Sequence, residues 1–195
     1  SVLSDKVLNI PELGDDGLLF ARPGFNVIGT ANTRDKGINE MSSALKRRFN
    51  FETVTPVGDV ALEKQIILNE AGALASAAGI TQPLDEEAAE LLATTYHELR
   101  EGISAEGQRI EKPTAVMSTA EAISVYYQTL MTAWYYGDGR MEETCLVENL
   151  VGAVAKESRE DLGKISNYFS TVVRDKARQE GGAWTRYYEA RSQLE

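Results

Sequence analysis

The chain has 195 residues, 20 lysines and arginines against 30 aspartates and glutamates, and a formal net charge of −10. That balance speaks against a general nucleic-acid binder, whose phosphate-facing surface is net positive. With 43% hydrophobic and 8% aromatic residues the chain has material for a core, which argues against a disordered tail. No apolar run approaches the roughly 20 residues that span a bilayer, and the opening SVLSDKVLNI lacks the basic flank and apolar stretch of a targeting segment. The chain reads as soluble and cytoplasmic, with no membrane and no nucleic-acid partner. Cys145 and His97 are each the only residue of their type. An internal disulfide and a Cys/His zinc site are therefore excluded. Cys145 as a nucleophile with His97 remains a formal alternative, set against the simpler reading of Cys145 as a small buried thiol on an amphipathic helix and an equally plain one for His97.

Taken in order, KVLNI at Lys6–Ile10, the turn-forming PELGDDG and Gly17–Phe20 predict a β-hairpin. Phe25–Thr30 (FNVIGT) is a compact apolar run that reads as a strand buried on both faces. Asn39–Arg48 reads as a helix, and Phe49–Val54 alternates as a last strand. After Pro56 every segment has helical spacing. Leu62, Ile66, Ile67 and Leu74 mark a first helix ending near Gly79. A second runs from Asp85, after Pro83, to Gly102 and carries Leu84, Ala88, Leu91, Leu92, Thr95, Tyr96 and Leu99. Ser118 and Glu121 form a capping-box pair opening a third, with the stripe Ile123, Tyr126, Tyr127, Leu130, Met131 and Trp134 up to Gly137-Asp138-Gly139. Leu146, Val147, Leu150, Val151 and Val154 define a fourth. A fifth starts at Ser158 with Asp161 and carries Leu162, Ile165, Phe169, Val172 and Val173, and a short last piece holds Trp184, Tyr187 and Tyr188.

The most informative stretch is Phe25–Val54. It places Asn32 at the carboxyl end of the expected strand, where open α/β sheets present ligand-contacting groups, and ends its helix in Lys46, Arg47 and Arg48. An uncharged amide there holds a water or a phosphate oxygen, and the cations stabilise phosphate charge. The plainer reading of the same residues is a turn-forming Asn and cations facing a helix dipole.

Ile28-Gly29-Thr30-Ala31-Asn32 and Ala44-Leu45-Lys46-Arg47-Arg48-Phe49 resemble the "hIGTxN" strand and the "ALxRRF" helix end of AAA+ ATPases, specifically the MoxR-like and dynein-related branch. The hairpin Lys6–Phe20 is similar to that branch as well, in which a helix and hairpin such as LSDKVLNIPELG precede the sensor strand. The resemblance implies that Asn32 is sensor 1, which positions the attacking water, and that Arg48 is the arginine finger reaching into a neighbouring subunit's ATP site. Arg47 is the weaker candidate for that role. It also implies a fold: residues 1–55 as the C-terminal α/β portion of a AAA+ core (hairpin, strand, helix, strand), and 56–195 as an all-α lid, mostly helical overall. The function implied is ATP hydrolysis with Mg²⁺ in a homo-oligomeric, hexameric ring that remodels a protein partner, of von Willebrand A type in relatives.

Two departures qualify this. The chain has no GxxxxGK followed by Ser or Thr, and no apolar strand ending in Asp-Glu ahead of the sensor strand. It is therefore expected to be the C-terminal portion of a longer ATPase and to bind neither ATP nor Mg²⁺ alone. Where the family's lid carries a sensor 2 arginine, the matching run Ser118-Thr119-Ala120-Glu121 has Ala120, with Arg109 and Lys112 the nearest cations in sequence. A non-catalytic helical adaptor derived from a AAA+ fold is the competing reading. The set Tyr126, Tyr127, Trp134, Tyr135 and Tyr136 is assigned to the lid core, and Trp184 and Tyr187 to docking on the lid. The carboxylates at Asp85-Glu86-Glu87 and Glu142-Glu143 are assigned to helix starts, and Asp15-Asp16 to a turn.

Overall fold

The computed structural model describes residues 3–30, 42–155 and 158–194. The chain divides into two compact units, Ser1–Val54 and Thr55–Glu195.

In the first unit, β1 (Val7–Asn9) and β2 (Leu18–Phe20) pair antiparallel, with Val7 opposite Phe20 and Asn9 opposite Leu18. The hairpin forms where it is expected. Its connection is a 3-10 turn, Pro11–Asp16, begun by proline, whose fixed φ suits a first helical position. Ile10 N–H donates to the Gly17 carbonyl at 2.8 Å. Gly17 is required there, because a Cβ would lie 2.2 Å from the Ile10 carbonyl oxygen.

The two single strands expected at Phe25–Thr30 and Phe49–Val54 do not form. Both runs are irregular, with Ile28 90% and Val54 91% exposed. A strand buried on two faces needs a partner on each edge, and among the described residues the sheet has only β1 and β2. The helix expected over Asn39–Arg48 is shorter: α1 is the single turn Ser43–Lys46, started at the extended N-cap Ser42 and followed by Arg47 and Arg48 in a turn, while 39–41 lie outside the described residues.

The second unit is helical throughout and mostly follows its caps. In α2 (Val60–Ala77) the Asp59 carboxylate accepts from the amides of Ala61 and Leu62. Its buried face is Glu63, Ile67, Ala71 and Ala75, whereas Leu62 and Leu74, expected in the core, are about half exposed. The α2 helix packs on α3 (Glu86–Glu101), which Asp85 caps at the start and Gly102, at φ 74°, closes in the left-handed conformation. Both pack on α4 (Thr119–Tyr136), opened by the Ser118–Glu121 capping box. The stripe of α4 also needs correction. Tyr126 and Leu130 are buried with Ala122, Val125 and Ala133, but Trp134, Tyr135 and Tyr136 are 40%, 59% and 90% exposed. The last turn of α4 extends past the helices that cover its middle.

Next comes α5 (Glu143–Val154), burying Leu146, Val147, Leu150 and Val154. Ser158 caps α6 (Arg159–Tyr168), which continues through a π turn, Phe169–Val173, into α7 (Arg174–Glu180). Ile165 before the π turn, Phe169, Val172 and Val173 within it and Lys176 after it are all buried, at the spacing of one helix face. Finally α8 (Gly182–Glu189) docks as expected, with Trp184 and Tyr187 buried and the Phe169 and Tyr187 rings 4.8 Å apart.

Buried charge ties these helices together. Glu63, 0% exposed, receives both arms of Arg100, Nη1 to Oε1 at 3.1 Å and Nη2 to Oε2 at 2.7 Å, and the Thr119 hydroxyl at 2.8 Å. Arg100 Nη1 also donates to the carbonyl of Met117, a buried residue held at φ 54° just ahead of α4. Asp161 in α6 accepts from the amide of Thr114 at 2.8 Å and from its hydroxyl, fixing the approach to α4. Burial pushes the Asp161 carboxyl up, but the hydrogen bonds from Thr114 and Ala115 and the nearby Lys164 outweigh it and hold the group below its usual range.

Replacing Glu63 by Ala leaves Arg100 buried without its counter-charge. The expected loss in urea unfolding is about 3–5 kcal/mol, and a loss of only about 0–1 kcal/mol would reduce the pair to an ordinary surface contact. For Asp161 the folded group is the stronger acid, so its contribution is present above an unfolded value near 3.9 and is lost as pH falls through the folded one. Asp161→Asn is therefore expected to lower the unfolding midpoint at pH 7 and to show a smaller deficit against the parent at pH 3. An equal deficit at both values would contradict this.

Candidate functional site

The predicted site residues fall in two places. In the first unit, Ser42 caps α1 through its hydroxyl, which accepts from the Leu45 amide at 3.3 Å. The turn closes with the Arg47 amide on the Ser43 carbonyl at 3.2 Å and the Arg48 amide on Leu45 at 3.0 Å. Lys46, Arg47 and Arg48 follow one another at its carboxyl end, all exposed, where the unpaired carbonyls favour cations. Two arginines in this position offer planar, permanently charged donors suited to phosphate oxygens. Asn32 lies outside the described residues.

In the second unit the start of α4 is where the resemblance looks for sensor 2. Ala120 is there, exposed, in the first turn. The end of this helix is closed by its own residues. The Ser118 hydroxyl accepts from the Glu121 amide at 3.2 Å, and the Glu121 carboxylate accepts from the Ser118 amide at 3.0 Å. A carboxylate thus sits where an anion would approach, and it repels phosphate. Arg100, beside this end, is engaged by Glu63 and by carbonyls and is held away from solvent. Arg109 and Lys112 are exposed, and neither makes an ion pair among the described residues. The α3 start offers no better place for a nucleotide. A shallow cavity of about 430 Å³ there is lined by Asp85, Glu86 and Glu87 against the single cation Arg140. Among the described residues no group of three or more His, Cys, Asp or Glu could hold a metal ion. Neither the start of α4 nor the α3 cavity presents the cations that a triphosphate needs; the described residues suited to phosphate oxygens are Arg47 and Arg48 of the first unit.

The remaining candidates have structural partners. Glu86 pairs with Lys64 at 3.5 Å, and Arg186 bridges Glu87 at 3.0 Å and Glu143 at 2.6 Å. Asp85 caps α3, whereas Glu142, at the N-cap of α5, makes no side-chain cap bond. Cys145 Sγ accepts from the Asn149 amide of its own helix at 3.4 Å. His97 Nδ1 is buried without a hydrogen-bond partner. The Cys145 thiol and His97 Nδ1 are thus not hydrogen-bonded to each other, as a nucleophile and the base that activates it would be. Sequence reasoning missed the buried pairs Glu63–Arg100 and Glu98–Lys176 altogether. Glu98 Oε1 lies 3.1 Å from Lys176 Nζ, and its Oε2 accepts from the Tyr168 hydroxyl at 2.7 Å. No helix of the described residues is long and apolar enough to cross a membrane.

Comparison with known proteins bears on the helical unit most directly. Residues 61–195 match the family model described as the YehL-like AAA+ ATPase C-terminal domain. The chain is also similar to the uncharacterized protein YehL of Escherichia coli strain K12, 41% identical over 197 residues, which cover 99% of this chain and 52% of that protein. It thus spans about half the length of the curated relative it matches. No solved structure matches. The matched stretch takes in α2 to α8, the helices tied by the two buried ion pairs, and by that match the chain belongs to the YehL-like AAA+ ATPase C-terminal domain family.

Proposed function

We propose that this chain is the C-terminal part of a Mg²⁺-dependent ATPase of the MoxR-like and dynein-related branch. In full length it assembles as a cytoplasmic homo-oligomeric ring, a hexamer, and couples ATP hydrolysis to remodelling of a protein partner of von Willebrand A type. The observation that carries the reading is the AAA+ C-terminal domain match over 61–195 in a chain whose α1 ends in exposed Arg47 and Arg48. Asn32 serves as sensor 1. Arg48 is the finger offered to the neighbouring subunit, with Arg47 beside it. A guanidinium supplied in this way neutralises charge that builds on the transferring phosphoryl group. The phosphate loop and the acids for Mg²⁺ are assigned to the part of the protein outside this chain. A second reading, a non-catalytic adaptor acting by protein contact, draws on Ala120 and the self-capped start of α4.

The test uses the full-length protein and separates binding from turnover. Arg48→Ala is expected to leave ATP affinity nearly unchanged and to lower kcat by about 10³-fold or more. Unchanged turnover would remove the arginine-finger assignment. Absence of ATP binding by the full-length protein itself would favour the adaptor.

A further inference from the structure

Residues 50–56 have no regular structure and every one of them is exposed. The character of the chain changes at Val57. This is the first half-buried residue of the segment, and two positions later Asp59 caps α2. The Val57 carbonyl accepts from Arg100 Nη2 at 2.9 Å, a contact that bridges 43 residues of chain. The cation making it has little freedom of its own. Its side chain is 7% exposed, and the other bonds of its fork go to Glu63, which is 0% exposed, and to the Met117 carbonyl. A main-chain carbonyl bound by a buried, doubly anchored guanidinium is fixed in position by a charge-assisted bond. The division between the two units falls at Val54, three residues upstream.

We infer that Arg100 is a positioning residue that anchors the connection between the two units at Val57, confining the freedom of that connection to the residues ahead of it. The segment concerned ends in Thr55-Pro56, where proline narrows the backbone choices of both residues. Arg100 touches no substrate in this account. It sets the point from which the helical unit moves as one body. The inference rests on hydrogen bonds within the second unit and stands or falls separately from the ATPase reading.

The experiment places a nitroxide spin label at one of two sites in the full-length protein, with Cys145 and any other cysteine replaced. Gly58→Cys is suitable because a side chain added there meets nothing within 4 Å, and Ala120→Cys because that residue is exposed in the first turn of α4. Each label is read with Arg100 intact and with Arg100→Lys. Lysine keeps a positive charge opposite Glu63 but lacks the planar fork needed to hold a carboxylate and two carbonyls together. The expected result is a sharpened, mobile spectrum at 58 and an unchanged spectrum at 120. Two unchanged spectra would overturn the proposal. Sharpening at both sites would overturn it too, because Arg100 would then support the helical unit as a whole. No nucleotide is needed, so a failure of this test leaves the ATPase reading untouched, and the reverse.

Discussion

Taking a carboxylate and a guanidinium out of water together costs several kcal/mol for each ion unless their mutual geometry restores what hydration supplied. The second unit meets that condition at Glu63 and Arg100. Both carboxylate oxygens receive an arm of the fork, one of them also takes the Thr119 hydroxyl, and Nη1 and Nη2 each reach a carbonyl as well, which leaves the buried Nε as the one donor of the fork with no hydrogen-bond partner. Each partner comes from a different segment: the approach to α2, α2 itself, the end of α3, the turn before α4 and its first residue. Apolar contacts between these helices tolerate small slips, because attraction between methyl groups varies gently with position. A buried fork does not tolerate them. The pair therefore acts on register, fixing how far α2, α3 and α4 are displaced along one another, while Ile67, Ala71, Leu92, Tyr96 and Ala122 supply the buried apolar area.

A second buried charge extends the same logic to the end of the chain. Glu98 lies two residues before Arg100 on α3 and accepts from Lys176, from the Tyr168 hydroxyl and from the Ala105 amide. Lys176 also reaches Glu106 at 3.0 Å and lies 5.3 Å from the centre of the Trp184 ring. Its ammonium is held in the charged form. Desolvation favours loss of the proton, and the hydrogen bonds that Lys176 donates to Glu106 and Glu98, together with their charge, reverse that preference. Lys176 follows Ile165 by eleven residues, close to three full helical turns, so it continues the face that buries Ile165 and Phe169 and turns inward toward Glu98.

The range of each interaction decides whether the sequence shows it or hides it. Caps are local, so Asp59, Asp85, the Ser118–Glu121 box, Ser158 and Gly102 are readable from neighbouring residues, and the helices begin and end where these lie. Hairpin pairing is nearly as local. Phe25–Thr30 and Phe49–Val54 have strand composition, but a strand exists only by pairing, and among the described residues neither run finds an edge. Leu62 and Leu74 mislead because Ala71 and Ala75, small enough for close helix approach, take the inward face instead. Glu63, Glu98, Arg100 and Lys176 are hidden for the opposite reason. A charged residue on a helix is read as solvent-facing, and its partner lies tens of residues away, where no periodicity connects the two. Of the candidate site, Arg47 and Arg48 are legible from their run with Phe49. The closed start of α4 is legible only as a capping motif, not as an obstacle to an anion.

The distribution of charge carries this one step further. Residues 1–54 are balanced between acids and bases, so the whole net charge of −10 belongs to residues 55–195. Several of this unit's cations are already engaged by neighbouring acids: Lys64 by Glu86 and Glu90, Arg186 by Glu87 and Glu143, Lys164 by Glu160. These pairings use cations that would otherwise be offered to a ligand, and the start of α4 is occupied by Glu121. A polyanion such as a nucleotide triphosphate gains little from such a surface and must find its positive charge elsewhere. In the proposed ATPase that charge has two sources, the phosphate loop outside this chain and the Arg47–Arg48 end of α1, presented from the neutral unit rather than from the acidic one. An acidic helical unit that does not itself hold the phosphates interacts with nucleotide only through its position, which gives mechanical weight to the place where it is anchored to the rest of the chain.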